Sequence, residues 1–276
     1  MNALLRCMIS LVLFSSLLIN PCYCFKRNPF NVSHFEKDKD DDDDDDKWQK
    51  GTATHYGPPN GAGSTGGACG YGDTVEKYPI NKMISAAGGS IFRGGKGCGS
   101  CYKVKCTENS ECSGKYVRVT ISDECGGCDK DHLDLSCTAF ASLAKKGEEN
   151  AKELLDAGRI KIQYKRVACN FGRSIAFLID SGANPYHFIV QIQYQNGYGD
   201  IEKVELKHGH KSKVWVPMQH SWGARWFLSN NGVPLKPPFS IKLTQSGNGK
   251  SKTFKARKVI PKSWKPGQLY WSRSNL

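Results

Sequence analysis

This 276-residue sequence predicts an all-β-dominated protein in two parts, a small disulfide-stapled barrel and then a β-sandwich. Three observations predict it. All nine cysteines beyond residue 24 lie between Cys69 and Cys169, and none follows. Glycine crowds the stretch from Gly70 to Gly99, where it supplies the tight turns and bulges of a twisted barrel. After Asn170 helical periodicity vanishes, and short alternating runs punctuated by Gly, Asn and Pro fill roughly 100 residues, the size of a sandwich.

The chain opens with a secretory signal pattern over residues 1–24. Arg6 is the positive region, Leu11 to Ile19 the apolar run, and Cys22-Tyr23-Cys24 the cleavage site. The run is too short to span a bilayer comfortably, so the protein is expected to be secreted. Residues 25–50 read as an acidic disordered leader carrying the glycosylation sequon Asn31-Val32-Ser33. Its seven consecutive aspartates, Asp40 to Asp46, repel one another. They serve either as a solvated spacer, the preferred reading, or as an intramolecular counter-charge for the basic last third of the chain.

Cys7, Cys22 and Cys24 leave with the signal. Cys69, Cys98, Cys101, Cys106, Cys112, Cys125, Cys128, Cys137 and Cys169 remain, an odd number. Cys98-Gly-Ser-Cys101 and Cys125-Gly-Gly-Cys128 have the spacing of zinc or redox pairs. An oxidising compartment and the surplus of cysteines favour disulfides instead.

Between 51 and 174 a first domain is expected, its core from 66. Gly51 to Gly57 reads as a strand, and Pro58 to Gly67 as a loop without the Lys-Ser or Lys-Thr of a phosphate loop. Tyr102–Cys106 and Tyr116–Asp123 alternate as strands. Leu135–Lys146 reads as a helix capped by Asp134 or Ser136, and Glu148–Ala157 as a second helix stopped at Gly158. Arg159–Cys169 alternates again, with Ile160, Ile162, Tyr164 and Arg166 on one face. A second domain, 175–276, is built from strands predicted at 174–180, 188–195, 201–208, 213–218, 225–229, 239–244 and 253–259. In it Phe188, Val190, Ile192 and Tyr194 line one face, while Gln191, Gln193 and Gln195 line the other.

Chemistry concentrates in the stretch Thr120 to Phe140. If Leu133 points inward at a strand end, His132 and Asp134 share the opposite face, with Asp123 near the same rim. Carboxylates gathered in a cleft are raw material for acid–base chemistry on sugars; Asp at turns and caps is the competing structural role. A nucleophilic triad is not expected. Between 51 and 170 the only histidines are His55 and His132, and no G-x-S-x-G elbow occurs. In the second half, Tyr186, His187, Tyr198, Trp215, Trp222, Trp226 and Trp264 offer faces on which pyranose rings stack. Trp215, between two valines, reads as core, and Trp222, beside Ser221 and Gly223, as surface. Net charge is +13, and residues 171–276 alone hold 16 Lys and Arg against 4 Asp and Glu. Such a face binds polyanions, whether nucleic acid, anionic lipid or acidic polysaccharide; outside a cell the last is the natural partner.

The motifs T-A-T-H-Y-G-P-P-N-G-A-G, G-G-A-C-G-Y-G, C-G-S-C-Y-K-V-K-C, I-S-D-E-C, H-L-D-L-S, I-Q-Y-K-R-V-A-C-N and S-W-G-A-R-W occur in that order. Together they resemble the expansins, specifically the β-expansins related to group-1 grass pollen allergens. The resemblance covers about residues 51–276. It implies a double-psi β-barrel similar to family-45 endoglucanases, followed by an immunoglobulin-like carbohydrate-binding module. It also implies the pairs Cys69–Cys98, Cys101–Cys169 and Cys106–Cys112, with Cys125–Cys128 as a fourth. By motif, Thr54, Tyr56, Asp123, His132 and Asp134 line the barrel's groove, and Asp134 stands where the related hydrolases keep their general acid. Their second carboxylate, near T-x-Y, has no counterpart in Gly57-Pro58. Inverting hydrolysis needs two carboxyl groups about 6.5–9.5 Å apart.

The resemblance therefore implies a non-hydrolytic, secreted wall-loosening protein, extracellular and monomeric. It would bind cell-wall polysaccharides (cellulose, xylan-type or acidic matrix glycans), with no nucleic acid, metal or cofactor. His55, Tyr186, His187, Trp222 and Trp226 are the expected polysaccharide-binding residues. A weak endoglucanase or transglycosylase using Asp134 and Asp123, and a purely binding lectin-like module, are the alternatives. Three departures stand out: T-H-Y-G where the family has T-W-Y-G, H-L-D for H-F-D, and D-L-S-C for D-L-S-G, which accounts for the odd Cys137.

Overall fold

The computed structural model describes residues 48–276 apart from residues 199, 210–211 and 248–249. The signal pattern, most of the leader, Asn31 and Asp40–Asp46 lie outside the described residues.

Six strands close a barrel: β1 (Gln49–Tyr56), β2 (Ile84–Ala87), β3 (Cys101–Cys106), β4 (Val117–Glu124), β5 (His132–Ser136) and β6 (Ile160–Val167). They run in the order β1-β5-β2-β4-β3-β6. Closure leaves no free sheet edge. The pairs β1–β5 and β2–β4 are parallel and the remaining neighbours antiparallel. Alternation fills the interior: Val104, Val119, Ile121, Leu133, Leu135, Ile160 and Ile162 are all buried. Outside the barrel lie three helices, α1 (Gly89–Phe92), α2 (Cys137–Ala141) and α3 (Glu148–Asp156).

Four disulfides bind this body, Cys69–Cys98, Cys101–Cys169, Cys106–Cys112 and Cys125–Cys128. They remove the zinc reading, since both C-x-x-C motifs spend their sulfurs in bridges. Cys137 stands outside the bridges, buried at the first position of α2.

The helix predicted over 135–146 is shorter than expected. Leu135 belongs to β5, and the helix begins only at Cys137, capped by the Ser136 hydroxyl, which accepts from the Ala139 N–H at 3.1 Å. The barrel claims Leu133 and Leu135 on one face of a strand, and that burial outweighs helical propensity. Helix α3 ends as predicted, with Gly158 just beyond its last turn at φ +68°, a conformation glycine adopts without strain.

The second body is a sandwich. One sheet has the order β10-β9-β13-β14, from β9 (Ile201–His208), β10 (Val216–Pro217), β13 (Phe239–Gly247) and β14 (Lys250–Ile260). The other has the order β11-β12-β8-β7-β15, from β7 (Ala176–Ile179), β8 (His187–Gln193), β11 (Gln219–His220), β12 (Arg225–Ser229) and β15 (Leu269–Trp271). Phe177, Phe188, Val190, Leu206, Phe239 and Ile241 fill the space between them. The strand expected over 213–218 is reduced to Val216–Pro217, and β15 lies beyond the last strand expected.

The polar side of β8 faces the barrel, not solvent. Gln191, Gln193 and Gln195 are each 1 % exposed. Gln191 Nε2 donates to the Gly70 carbonyl at 2.6 Å, and Gln195 Nε2 to the Cys98 carbonyl at 3.4 Å. Buried Asp200 joins the same seam, ion-paired with Arg93 and Arg166 of the barrel. Arg173 lies over the stacked rings of Tyr194 and Trp271 and donates to the Tyr78 carbonyl.

Candidate functional site

The parallel pairing of β1 with β5 assembles the groove. Its register sets Thr52 beside His132 and Thr54 beside Asp134. Leu133 is fully buried, so His132 and Asp134 emerge on the other face, as the alternation predicted.

These residues form a chain of hydrogen bonds with one direction. Arg159 Nη2, which can only donate, bonds Thr52 Oγ1 at 3.1 Å. Thr54 Oγ1 donates to Asp134 Oδ1 at 2.6 Å. With its proton committed, Thr54 accepts from His132 Nε2, 2.8 Å away. Burial, then the Arg159 charge, push the His132 pKa below its ordinary value. A neutral ring with its proton on Nε2 presents a lone pair at Nδ1, where Thr52 Oγ1 donates at 2.8 Å. The order is thus Arg159, Thr52, His132, Thr54, Asp134. It fixes the tautomer of a histidine that is only 3 % exposed and aims one strong donor at Asp134.

Tyr56 feels the charge of both carboxylates predicted for the groove. Burial, then the charges of Asp123 and Asp134, raise its phenol pKa well above the ordinary value, so it stays protonated. Its hydroxyl is shielded and lacks a well-formed hydrogen bond among the described residues. Asp123 has a different task. Its Oδ1 accepts from the Ala68 and Glu124 backbone N–H groups at 2.7 and 2.8 Å, fastening the 67–70 loop to the end of β4.

That loop carries the groove to the sandwich. The Ala224 N–H donates to the Cys69 carbonyl. Gly70, at φ +73°, lets Trp222 approach so closely that an added Cβ would stand 2.9 Å from its ring. Trp222 is 50 % exposed, with the Arg225 guanidinium 4.0 Å from its ring centroid. From there an outward strip runs along β12 and β8. Arg225 pairs in register with Gln191, Phe227 with Ile189 and Ser229 with His187; Tyr186, half exposed, closes the far end. Five residues of strand span roughly 17 Å, enough for several sugar rings.

Two expected binding residues are corrected by burial. Trp226 is 6 % exposed and packs in the sandwich core against His220. Alternation along β12 turns Trp226 and Leu228 inward and Phe227 outward, so the sequence reading was one residue out of phase. His55 has both ring nitrogens engaged. Nε2 donates to the Leu155 carbonyl at 3.0 Å, Nδ1 faces Cys137 Sγ at 3.3 Å, and the ring meets Phe140 edge-on. It is part of the wall, not a stacking platform. Trp215, expected in the core, is instead half-buried on the outer face of β9 and β13, between Lys207 and Lys242. Among residues that sequence reasoning missed, Thr52, Arg159 and Phe227 stand out. Strand pairing alone reveals the first two, and a period-2 count anchored on Leu228 finds the third.

Comparison with known proteins adds an independent line. Residues 175–261 match the family model for the expansin C-terminal domain, and residues 84–164 match a lytic transglycolase model. Expansin-B11 of Oryza sativa subsp. japonica is 46 % identical over 83 % of this chain and 78 % of its own length. Expansin-B4 of Arabidopsis thaliana is 46 % identical over 82 % of this chain and 87 % of its own. The crystal structure of a Clavibacter michiganensis expansin superposes with a TM-score of 0.62 at 25 % identity, over 83 % of this chain and 98 % of the bacterial one. A mutant of that bacterial protein has been solved in complex with cellohexaose, at 24 % identity and the same TM-score.

Proposed function

Since the chain belongs to the β-expansins, we propose that it is a secreted cell-wall-loosening protein that grips wall polysaccharide and breaks no glycosidic bond. One observation carries the non-hydrolytic reading. The groove face of β1 carries the hydroxyls of Thr52, Thr54 and Tyr56, of which Thr54 bonds Asp134, and no second carboxylate. An inverting hydrolase needs a base to activate water opposite its acid. Asp123 is a poorer candidate, because its Oδ1 is committed to the Ala68 and Glu124 backbone N–H groups and fastens a loop.

Asp134 is well suited to accept hydrogen bonds from sugar hydroxyls, while Trp222, Phe227 and Tyr186 lie along the same chain's apolar ring faces. The 67–70 loop, fastened to Asp123 and touching Trp222 at Gly70, supports one continuous surface across both bodies. A glucan held on it would be separated from its neighbours in the wall. The cellohexaose bound by the bacterial relative fits a β-glucan as the neutral ligand.

The test is creep of heat-inactivated wall strips under constant tension, with purified protein and parallel measurement of reducing ends. Extension without sugar release is expected, and Asp134→Ala should abolish it. Release of reducing ends that disappears in Asp134→Ala would replace this reading with a glycan-cleaving one, which the lytic transglycolase match makes the natural rival.

A further inference from the structure

The sandwich has two electrically different sides. Strands β7, β8, β11, β12 and β15, which include the Trp222 side, hold one cationic residue, Arg225, ion-paired with Asp180. Strands β9, β13 and β14 hold eight of the sixteen Lys and Arg between residues 171 and 276. The four acids of this region are already engaged. Asp180 pairs with Arg225, Asp200 with Arg93 and Arg166, Glu202 with Lys96, and Glu205 with Lys203 and Lys242.

The outer face of the four-stranded sheet gathers this surplus around an aromatic ring. Val204, Leu206, Ile241 and Leu243 point inward, so Lys203, Lys207 and Lys242 point outward. Lys242 and Lys255 are direct partners across β13 and β14, a like-charge pairing that costs stability. Lys207 and Lys255 have no ion pair among the described residues. Trp215 lies at the edge of the patch, its centroid 5.1 Å from Lys207 Nζ and 5.2 Å from Lys242 Nζ.

We propose that this face is a second glycan site, built for a polysaccharide that carries carboxylates. Trp215 receives the apolar face of a uronic acid ring, and Lys207 and Lys255 pair with carboxylates along the chain. Lys242, held by Glu205 at 2.6 Å, keeps the charge in place. The molecule then carries a neutral-glycan strip on one sheet and an acidic-glycan face on the other, and so spans two wall polymers at once. This deepens the reading of the chain as a wall-polysaccharide binder and rests on it.

The test uses the full chain and soluble polygalacturonate at low salt, with microcrystalline cellulose in parallel. Lys207→Gln combined with Lys255→Gln should weaken polygalacturonate binding at least tenfold and leave cellulose binding within twofold. Trp215→Ala should weaken polygalacturonate binding about fivefold at unchanged cellulose binding. Trp222→Ala should do the reverse. Replacing both lysines by arginine should retain binding. Polygalacturonate binding within twofold of the parent in the double Gln variant would overturn the proposal. So would inorganic polyphosphate bound as tightly and indifferently to Trp215→Ala, because the face would then read charge alone. Cellulose binding that survives Trp222→Ala would count against the strip, while the polygalacturonate result would still decide this face.

Discussion

Cys137 Sγ lies 3.3 Å from Nδ1 of His55, so two departures from the family's motifs are one contact. His55 gives its Nε2 proton to the Leu155 carbonyl, which leaves Nδ1 as an acceptor for the thiol; the Gly57 carbonyl, at 3.5 Å from Sγ, shares it. The related motif has Trp at the first position and Gly at the second. A small ring beside a thiol and a large ring beside a glycine are two ways of filling the same volume.

Restoring only half of the exchange should therefore fail. His55→Trp alone overpacks the wall against Cys137 and Phe140 and should cost about 1–3 kcal/mol. Cys137→Gly alone leaves a void and a glycine at a helix start, costing ~1 kcal/mol. The double variant should recover at least ~1 kcal/mol of their sum. Urea unfolding of the four proteins measures the coupling, and strict additivity would show that the two sites are independent.

The directed chain of hydrogen bonds predicts a graded response in the groove. Thr54→Val removes the donor to Asp134 and the acceptor for His132 together. It should cut wall-creep activity at least tenfold, while Thr54→Ser should retain most of it. Arg159→Gln acts four links from Asp134 and should have a smaller effect. Activity kept in Thr54→Val and lost in Thr54→Ser would mean that the methyl group, not the hydroxyl, is what position 54 supplies.

The depressed His132 pKa makes stability depend on pH with a definite sign. The folded protein favours the neutral ring, first through burial and then through Arg159. As pH falls, the unfolded chain binds this proton before the folded one does. The contribution is therefore complete above the ordinary imidazole value of about 6.5 and erodes below it until the folded ring also titrates. His132→Gln should flatten the fall in unfolding free energy between pH 7 and pH 5, and Arg159→Gln should flatten part of it. If His132→Gln leaves that slope unchanged, the histidine is not its source.

Strand residues were the most legible part of the sequence. Alternation around Leu133 placed His132 and Asp134 together, and glycine density with clustered cysteines marked the barrel. What escaped depended on partners distant in sequence. Nothing near Leu135 reveals that β1 will pair with it, so a helix was expected where a strand lies. Gln191, Gln193 and Gln195 have the pattern of a solvent face, yet another body covers them. Trp215 between valines resembles core, but the edge strand is only two residues long and leaves its ring on the outer face. Trp226 and Phe227 differ by one position, which in a strand exchanges inside for outside.

The seam between the bodies offers a last test, because it sets the angle between groove and strip. Asp200 is 5 % exposed and holds Arg93 from one part of the barrel and Arg166 from another. Asp200→Asn leaves two guanidinium groups facing a neutral amide and should destabilise the protein by about 2–4 kcal/mol, less than a fully buried pair would because Arg93 is partly solvated. Gly70→Ala attacks the same seam from the other side. At φ +73° alanine is strained, and its methyl group would collide with Trp222 and the Arg225 guanidinium. Gly70→Ala should therefore reduce cellulose binding severalfold at unchanged groove chemistry, whereas Asp200→Asn should loosen the two bodies without moving Trp222 itself. Limited proteolysis between residues 167 and 176 reports the loosening, and cellulose isotherms report the strip. If Gly70→Ala binds cellulose like the parent protein, the close approach of Trp222 to the barrel is not what positions the strip.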